Sequence, residues 1–409
     1  MTEFITVLPP GEALQRLMEQ LPGPLPSERV PTADGLGRVL ARSIHSPTNL
    51  PAFPRSTMDG YAVRAQDTFG ATPSLPTYLK VAGEIHMGST PTISLQPAQT
   101  MLIHTGGMIP ENADAVVMVE NTQPSRENEV EVFKAAAVGE NILKVGEDVV
   151  SGTEVLPSGL RLRPQDLGAL MALGITQVEV IRRPKVAMIA TGDEVIPPEA
   201  QTSPGQVRDI NSYTLSGLVE TAGGVPVRYG IVPDDLAHQK DAAEKALREC
   251  DVVVISAGSS ASVRDITAKV LHSLGNPGVL IHGIAIKPGK PTIIAVANGK
   301  AAFGLPGNPV SAIVTARILL LPTIHYLQGT HKAKPRTVTA KLTRNIASNA
   351  GREDYVPVRV FHNDGVTLAE PIFGKSNLIF TLVRSDGSVT VPLNSNGLGK
   401  GETVDVELY

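Results

Sequence analysis

Residues 304–312 read GLPGNPVSA, with Gly307 and Asn308 held between Pro306 and Pro309, and the apolar run IVTARILLL follows closely. Proline at a first helical position, preceded by asparagine, predicts a helix that starts at Pro309 with Asn308 as its cap. The free backbone N–H groups and positive dipole end of such a start stabilise an oxyanion or phosphate. Gly307 keeps side-chain bulk away from that approach. The Lys-Ser/Thr pair of a Walker loop is missing here. Positive charge is available instead from IKPGKP, 286–291, where Lys287 and Lys290 stand on a chain stiffened by Pro288 and Pro291.

Two further stretches carry compatible chemistry. SAGSSASVRD, 256–265, offers close backbone approach at Gly258, hydroxyl donors at Ser259, Ser260 and Ser262, and a carboxylate at Asp265. TGDE, 191–194, adds Asp193 and Glu194. Cations beside carboxylates suggest phosphate chemistry with a hard metal ion such as Mg²⁺. Taken singly, each feature has a plain structural reading: a helix cap, solvated turn lysines, an acid at a helix start, a turn, a Gly-Ser loop. They gain weight together because all four stretches fall at expected strand ends, and open α/β sheets bind ligands beyond the carboxyl ends of their strands.

The elements that must hold these loops come in three textures. Residues 10–21 suit a helix, and residues 46–145 are turn-rich with short β-type runs, TYLKVAG, TMLIHTG, DAVVMVE and EVEVFKA. PQDLGALMALG, 164–174, reads as a helix with proline in its first turn and glycine at its end. From Lys185 apolar strands (KVAMIA, VPVRYGIV, DVVVIS, GVLIHGIAI, PTIIAVA, KAAFG) alternate with helical patterns at 209–222 and 263–274 and from Pro309, predicting an α/β layer with a mostly parallel sheet. After Gln328 five short strands follow, RTVTAKLTRNI, DYVPVRVF, GVTLAEPI, GSVTVPL and ETVDVELY. The expected fold class is multidomain α/β with β modules. Its parts are a discontinuous linker domain at 1–45 and 146–181, a β-rich module at 46–145, the α/β domain at 182–328 and a C-terminal β domain at 329–409.

Composition narrows the function classes. The chain has 409 residues, a 42% hydrophobic fraction and a net charge of −4, from 36 Lys+Arg against 40 Asp+Glu. That balance argues against a nucleic-acid or membrane-binding surface over the whole molecule. The single cysteine, Cys250, excludes an internal disulfide framework and a Cys-rich zinc site, and reads as a small core residue. No continuous run of about 18 apolar residues occurs, so no spanning helix is expected, and MTEFITVLPP lacks the features of a signal peptide. A cytoplasmic protein is the expectation.

The motifs STMDGYAV (56–63), HTGGMIPENADAVVMVE (104–120), GEDV (146–149), TGDEV (191–195), GQVRDINSY (205–213), GIVPDD (230–235), AIKPGKP (285–291) and FGLPGNPVSA (303–312) run in one order along nearly the whole chain. In this the sequence closely resembles the MoeA family of molybdopterin molybdenumtransferases, which includes the E domain of gephyrin. The resemblance implies molybdenum cofactor biosynthesis: adenylylated molybdopterin and molybdate react, assisted by Mg²⁺, to give the cofactor and AMP. It implies a central domain similar to the molybdopterin adenylyltransferase fold, and a small C-terminal β barrel. It further implies a homodimer with its active site shared between subunits, a molybdopterin adenylyltransferase as upstream partner, and neither nucleic acid nor membrane.

By the same resemblance, Asp59 and Thr105 match positions contributed across the dimer, and Glu194 and Asp265 match functional carboxylates that would also hold the metal. Pro306 and Pro309 match the paired prolines of the family loop, and Lys287, Lys290 and Ser311 match positions that hold the oxyanion. Arg352 in AGRED and Ser376 in GKSN are candidates from the terminal domain. One stretch departs: the family usually reads SGGVSVGDYD where this chain has SAGSSASVRD, keeping Gly258 and the final acid but adding Arg264. Tungstate in place of molybdate, a sister enzyme that adenylylates molybdopterin, and a non-catalytic scaffold are the alternatives.

Overall fold

The computed structural model describes residues 7–257, 261–330 and 335–409, with residues 261–264 described by backbone alone. These fall into two compact units, one within Met1–Ala41, Gly159–Pro164 and Gln177–Tyr409, the other within Arg42–Ser158 and Gln165–Thr176.

The first unit is built on a six-stranded sheet. Its strands are β1 (Lys185–Thr191), β2 (Val225–Val232), β3 (Val252–Ala257), β4 (Pro277–His282), β5 (Ile293–Ala297) and β6 (Lys300–Pro306). The order is β2-β1-β3-β6-β5-β4. β2, β1, β3 and β6 are mutually parallel, and β5 runs antiparallel to both β6 and β4. β4 therefore points the same way as the parallel set. The chain leaving β4 emerges on the same rim as the ends of β1, β3 and β6, which the four chemistry-bearing loops require.

Strand alternation divides the sheet between two cores. Val186, Met188, Val252, Val254 and Phe303 face one side, packed under helices α1 (Pro10–Met18) and α2 (Asn211–Thr221). Ala187, Ile189, Val253, Ile255 and Ala302 face the other, under α3 (Leu236–Glu249) and α4 (Ala261–Ser273). Covered on both faces, β3 is buried along its whole length, which is why its sequence reads as a continuous apolar run. Phe303 is fully buried, and a side chain of that kind contributes about 1.5–3 kcal/mol by leaving water.

Helix boundaries moved where a side chain decided them. α2 begins at Asn211 rather than 209, because Asp209 Oδ1 accepts the Ser212 amide at 3.0 Å. Beyond Pro309 the chain stays helical to Leu327, but in three parts. These are α5 (Pro309–Thr315), a wider turn at Ala316–Leu320, and Leu321–Leu327. Pro322 cannot donate to the preceding turn, and the widened segment absorbs that loss. By length and composition this 19-residue stretch could cross a membrane, but 61% of its 18-residue apolar window is buried inside the protein, as in a core helix.

The five expected C-terminal strands all form: β7 (Thr337–Leu342), β8 (Glu353–Asn363), β9 (Val366–Pro371), β10 (Gly387–Val391) and β11 (Thr403–Leu408). They close on themselves as β7-β9-β8-β10-β11-β7, around Val358, Ala369, Val389, Val391 and Val406. Closure removes the free edges that a short sheet would otherwise expose. The two-residue strand Ile286–Lys287 pairs with β8, placing Lys287 opposite Asp354.

The second unit holds a sheet ordered Ala115–Met118, Gly60–Val63, Gln99–Ile103, Thr77–Ile85, Glu129–Val132, Thr122–Pro124. Its four longer expected runs all appear as strands, and only the Thr77–Ile85 and Gln99–Ile103 pair is parallel. Val63, Leu79, Val117 and Val130 fill one core, and Ala62, Ile85, Met101 and Ile103 the other. Helix Pro164–Ala172 ends as its sequence predicts, with Gly174 at φ 71° just beyond.

Candidate functional site

Two adjoining cavities open where the rim of the six-stranded sheet meets the barrel. The first, about 820 Å³, is lined by Lys287, Lys290, Pro306, Asn308, Ser311, Arg352 and Ser376 together with Asp354, Tyr355, Lys375 and Asn377. The second, about 720 Å³, is lined by Thr191, Glu194, Arg208, Asp209, Asn211, Ser256, Gly307, Asn308, Pro309 and Asn377. Asn308 and Asn377 belong to both walls. Of the sequence candidates, seven thus share the first cavity, and Glu194, Gly307 and Pro309 line the second.

The first cavity is cationic. Lys287, Lys290, Arg352 and Lys375 carry positive charge there, and among the described residues Asp354 is its one carboxylate. The lysine loop owes its shape to Gly289, at φ 115°, where a Cβ would lie 2.5 Å from Thr315 Oγ1 and 2.8 Å from Ile286 Cδ1. No other residue lets the loop sit so close to the helical segment. Asp354 is 3% exposed. It accepts from Arg352 Nε at 2.8 Å and Nη2 at 3.5 Å, and Lys287 Nζ lies 3.6 Å from its Oδ2. Tyr355 donates to Glu353 Oε2 at 2.6 Å, and burial followed by that bond pushes its phenol well above the usual range.

Asn308 is positioned differently from expectation. Its backbone occupies the cap position of α5, yet its side chain makes no capping bond. Nδ2 donates instead to Ser376 Oγ at 3.0 Å, and the Val310 amide donates to the Ser376 carbonyl at 3.0 Å. The side chain thus ties the sheet rim to the 372–377 loop, and one helix-start amide is already used. From behind, buried Asn211 donates from Nδ2 to Ser256 Oγ and to the Gly307 carbonyl, both at 2.8 Å. Among the described residues, its own Oδ1 is buried without a partner.

Around Glu194 the charge is negative. The Asp234 amide donates to Asp193 Oδ1 at 3.2 Å. Burial first, then the charges of Asp193 and Glu194, push the Asp234 carboxyl upward. Asp265 is exposed on α4 and lines neither cavity. Gly258, Ser259 and Ser260 lie outside the described residues. Among the described residues no group of three or more acids, histidines or cysteines is arranged to hold a metal.

Asp59 and Thr105 belong to the second unit and meet there. Asp59 Oδ1 accepts the Thr105 amide at 2.7 Å and its hydroxyl at 3.0 Å. These bonds, the amide first, hold the Asp59 carboxyl below the ordinary value of 3.8. Since the folded value is depressed, the contact is intact above 3.8 and is lost as pH falls through the lower folded value. An NMR titration of the Thr105 amide should show its transition below 3.8. A midpoint at or above that value would contradict the bond.

Sequence profiles of three regions match in order: the MoeA N-terminal region (domain I and II) at residues 8–174, a probable molybdopterin-binding domain at 187–326, and the MoeA C-terminal region (domain IV) at 339–409. The molybdopterin molybdenumtransferase of Haemophilus influenzae is 34% identical over 97% of this chain and 98% of its own length. The chain belongs to the MoeA family. A second such relative, from Bacillus subtilis, is 33% identical over 100% of this chain and 95% of its own. Two crystal structures of molybdopterin biosynthesis MoeA proteins from Pyrococcus horikoshii align with TM-scores of 0.84 and 0.85, at 38% and 33% identity, over 98% and 99% of this chain and 99% and 100% of theirs. The expected multidomain α/β architecture, with its central α/β domain and C-terminal barrel, is therefore the MoeA fold.

Reading the MoeA-family sequence alone missed Asp354 and Asn211. Asp354 stands two residues after Arg352, and residues so spaced share a face on an extended chain. That spacing was a usable signal. Asn211 lay inside a recognised motif, but its partners, 45 and 96 residues away, leave no local trace.

Proposed function

We propose that this protein is a molybdopterin molybdenumtransferase that inserts molybdate into adenylylated molybdopterin and releases AMP. The observation that carries this is a cationic cavity on the sheet rim of a chain whose full-length relatives bear that name. Lys287, Lys290 and Arg352, with the hydroxyls of Ser311 and Ser376, would hold the tetrahedral dianion in the first cavity. The adenylylated substrate would extend into the second, past the shared wall at Asn308. Two mutually repelling anions are thereby held side by side, which makes their reaction effectively intramolecular. The dithiolene thiols then replace molybdate oxygens, which leave as water with the thiol protons, while a further water cleaves the adenylate link to release AMP.

Mg²⁺ usually takes one or two protein carboxylates and completes its shell with water and substrate phosphates. Glu194 fits that role, and the crowding that raises Asp234 is a repulsion a divalent cation would relieve. The resemblance matched Asp265 to a second ligand, but it is exposed and lines neither cavity, so the proposed site rests on Glu194. When bound, the ion would polarise the phosphate next to AMP. Tungstate, equal in charge and shape, is an accepted alternative anion in this proposal. A cytoplasmic homodimer that receives its substrate from a molybdopterin adenylyltransferase, with Asp59 and Thr105 supplied by the partner subunit, completes the reading.

The test is AMP release from adenylylated molybdopterin, which must depend on added molybdate. Release of pyrophosphate from ATP and free molybdopterin would point to an adenylyltransferase instead. Glu194→Ala should slow AMP release by about tenfold, with the loss largest at low Mg²⁺. Unchanged release at every Mg²⁺ concentration would remove Glu194 from the reaction.

A further inference from the structure

Asp354 is a carboxylate buried at the floor of a cavity proposed to bind an anion, where its own charge opposes the ligand. A buried charge is retained only where its partners hold it. Here the partners are the ligand-facing cations themselves, Arg352 and Lys287. Resting on the oxyanion reading above, we infer that Asp354 is a positioning residue that orients Arg352 and Lys287 for the oxyanion. Of the five guanidinium N–H groups of Arg352, that on Nε is held by Asp354 at 2.8 Å and one on Nη2 lies at 3.5 Å, which leaves the other three of the planar group without a bond to this carboxylate. The strand register that sets Lys287 opposite Asp354 draws the ammonium to the same carboxylate. The negative charge between them also offsets the repulsion of the two cations before an anion arrives. Affinity is thus gained by prior orientation at some loss of net positive charge.

Calorimetric titration of the full chain with sodium molybdate tests this, using wild type, Asp354→Asn, Arg352→Ala and the double variant. Asp354→Asn should raise the molybdate Kd about tenfold, the cost of ordering a long side chain at binding. In the Arg352→Ala background the same change should add less than about twofold, because its effect passes through Arg352. The KM for molybdate should rise with it, and kcat at saturating molybdate should change by less than about twofold. Wild-type affinity in Asp354→Asn, tighter binding, or an equal loss with and without Arg352 would overturn the inference and leave the oxyanion reading standing. A wild-type chain that gives no molybdate-dependent heat would remove both. Asp354→Ser is the second variant, and circular dichroism checks that each folds. Unfolding of both would assign Asp354 to the barrel's stability instead.

Discussion

Lys290→Ala should lower kcat/KM for molybdate-dependent AMP release by about 10²–10³, the loss typical when one preorganised charge is removed from an anion site. Lys290 is the cleanest position for this test. It is exposed on the first cavity, and among the described residues no ion pair occupies its ammonium. Truncation therefore removes the charge without stranding a protein carboxylate. Lys287→Ala is less simple, because Asp354 loses one of its two cationic partners at the same time. Lys290→Arg should recover part of the activity, since the charge returns with a different reach. Steady-state kinetics at varied molybdate give the answer, and a Lys290→Ala enzyme within about threefold of wild type would contradict an oxyanion site here.

The second large effect lies in the other unit. A Cβ at Gly60 would stand 2.0 Å from the Val117 carbonyl oxygen and 3.0 Å from Met118 Cα. Both are backbone atoms of the neighbouring strand, which pairs Gly60 with Met118. A flexible side chain could swing aside, whereas a paired strand cannot move without breaking its ladder. Gly60→Ala should therefore cost about 1–3 kcal/mol or more, and lower the thermal midpoint by about 5–10 °C. Asp59 is adjacent, so the bonds to Thr105 should loosen as well. Calorimetry and the Thr105 amide resonance report the two consequences separately. An unshifted midpoint would mean that the strands are farther apart than described.

Much of this architecture was legible in the sequence, for identifiable reasons. DVVVIS reads as a buried central strand because both its faces are covered, and the five C-terminal runs read as strands because their apolar residues alternate. Their closure into a barrel was not legible from pattern alone. It depends on β7 pairing with β11, and register between distant strands leaves no mark in either one. The lysine loop and the GLPGNPVSA turn were recognised from local chemistry, and they do line one cavity. The predicted cap at Asn308 failed because Ser376, 68 residues on, claims its side chain. Local rules price only local partners, and a functional loop fastened to another layer escapes them. The same limit hid Asp354, whose importance comes from a strand pairing that places it under Lys287.

The most direct test of the central claim is an anomalous difference map from crystals soaked in molybdate, measured near the molybdenum edge. The account predicts a peak in the first cavity, at about 4 Å from donors on Lys290, Arg352 and Ser376, so that the molybdate oxygens come within about 3 Å of them. A map whose molybdenum peaks all lie elsewhere, with that cavity clear at saturating molybdate, would contradict it.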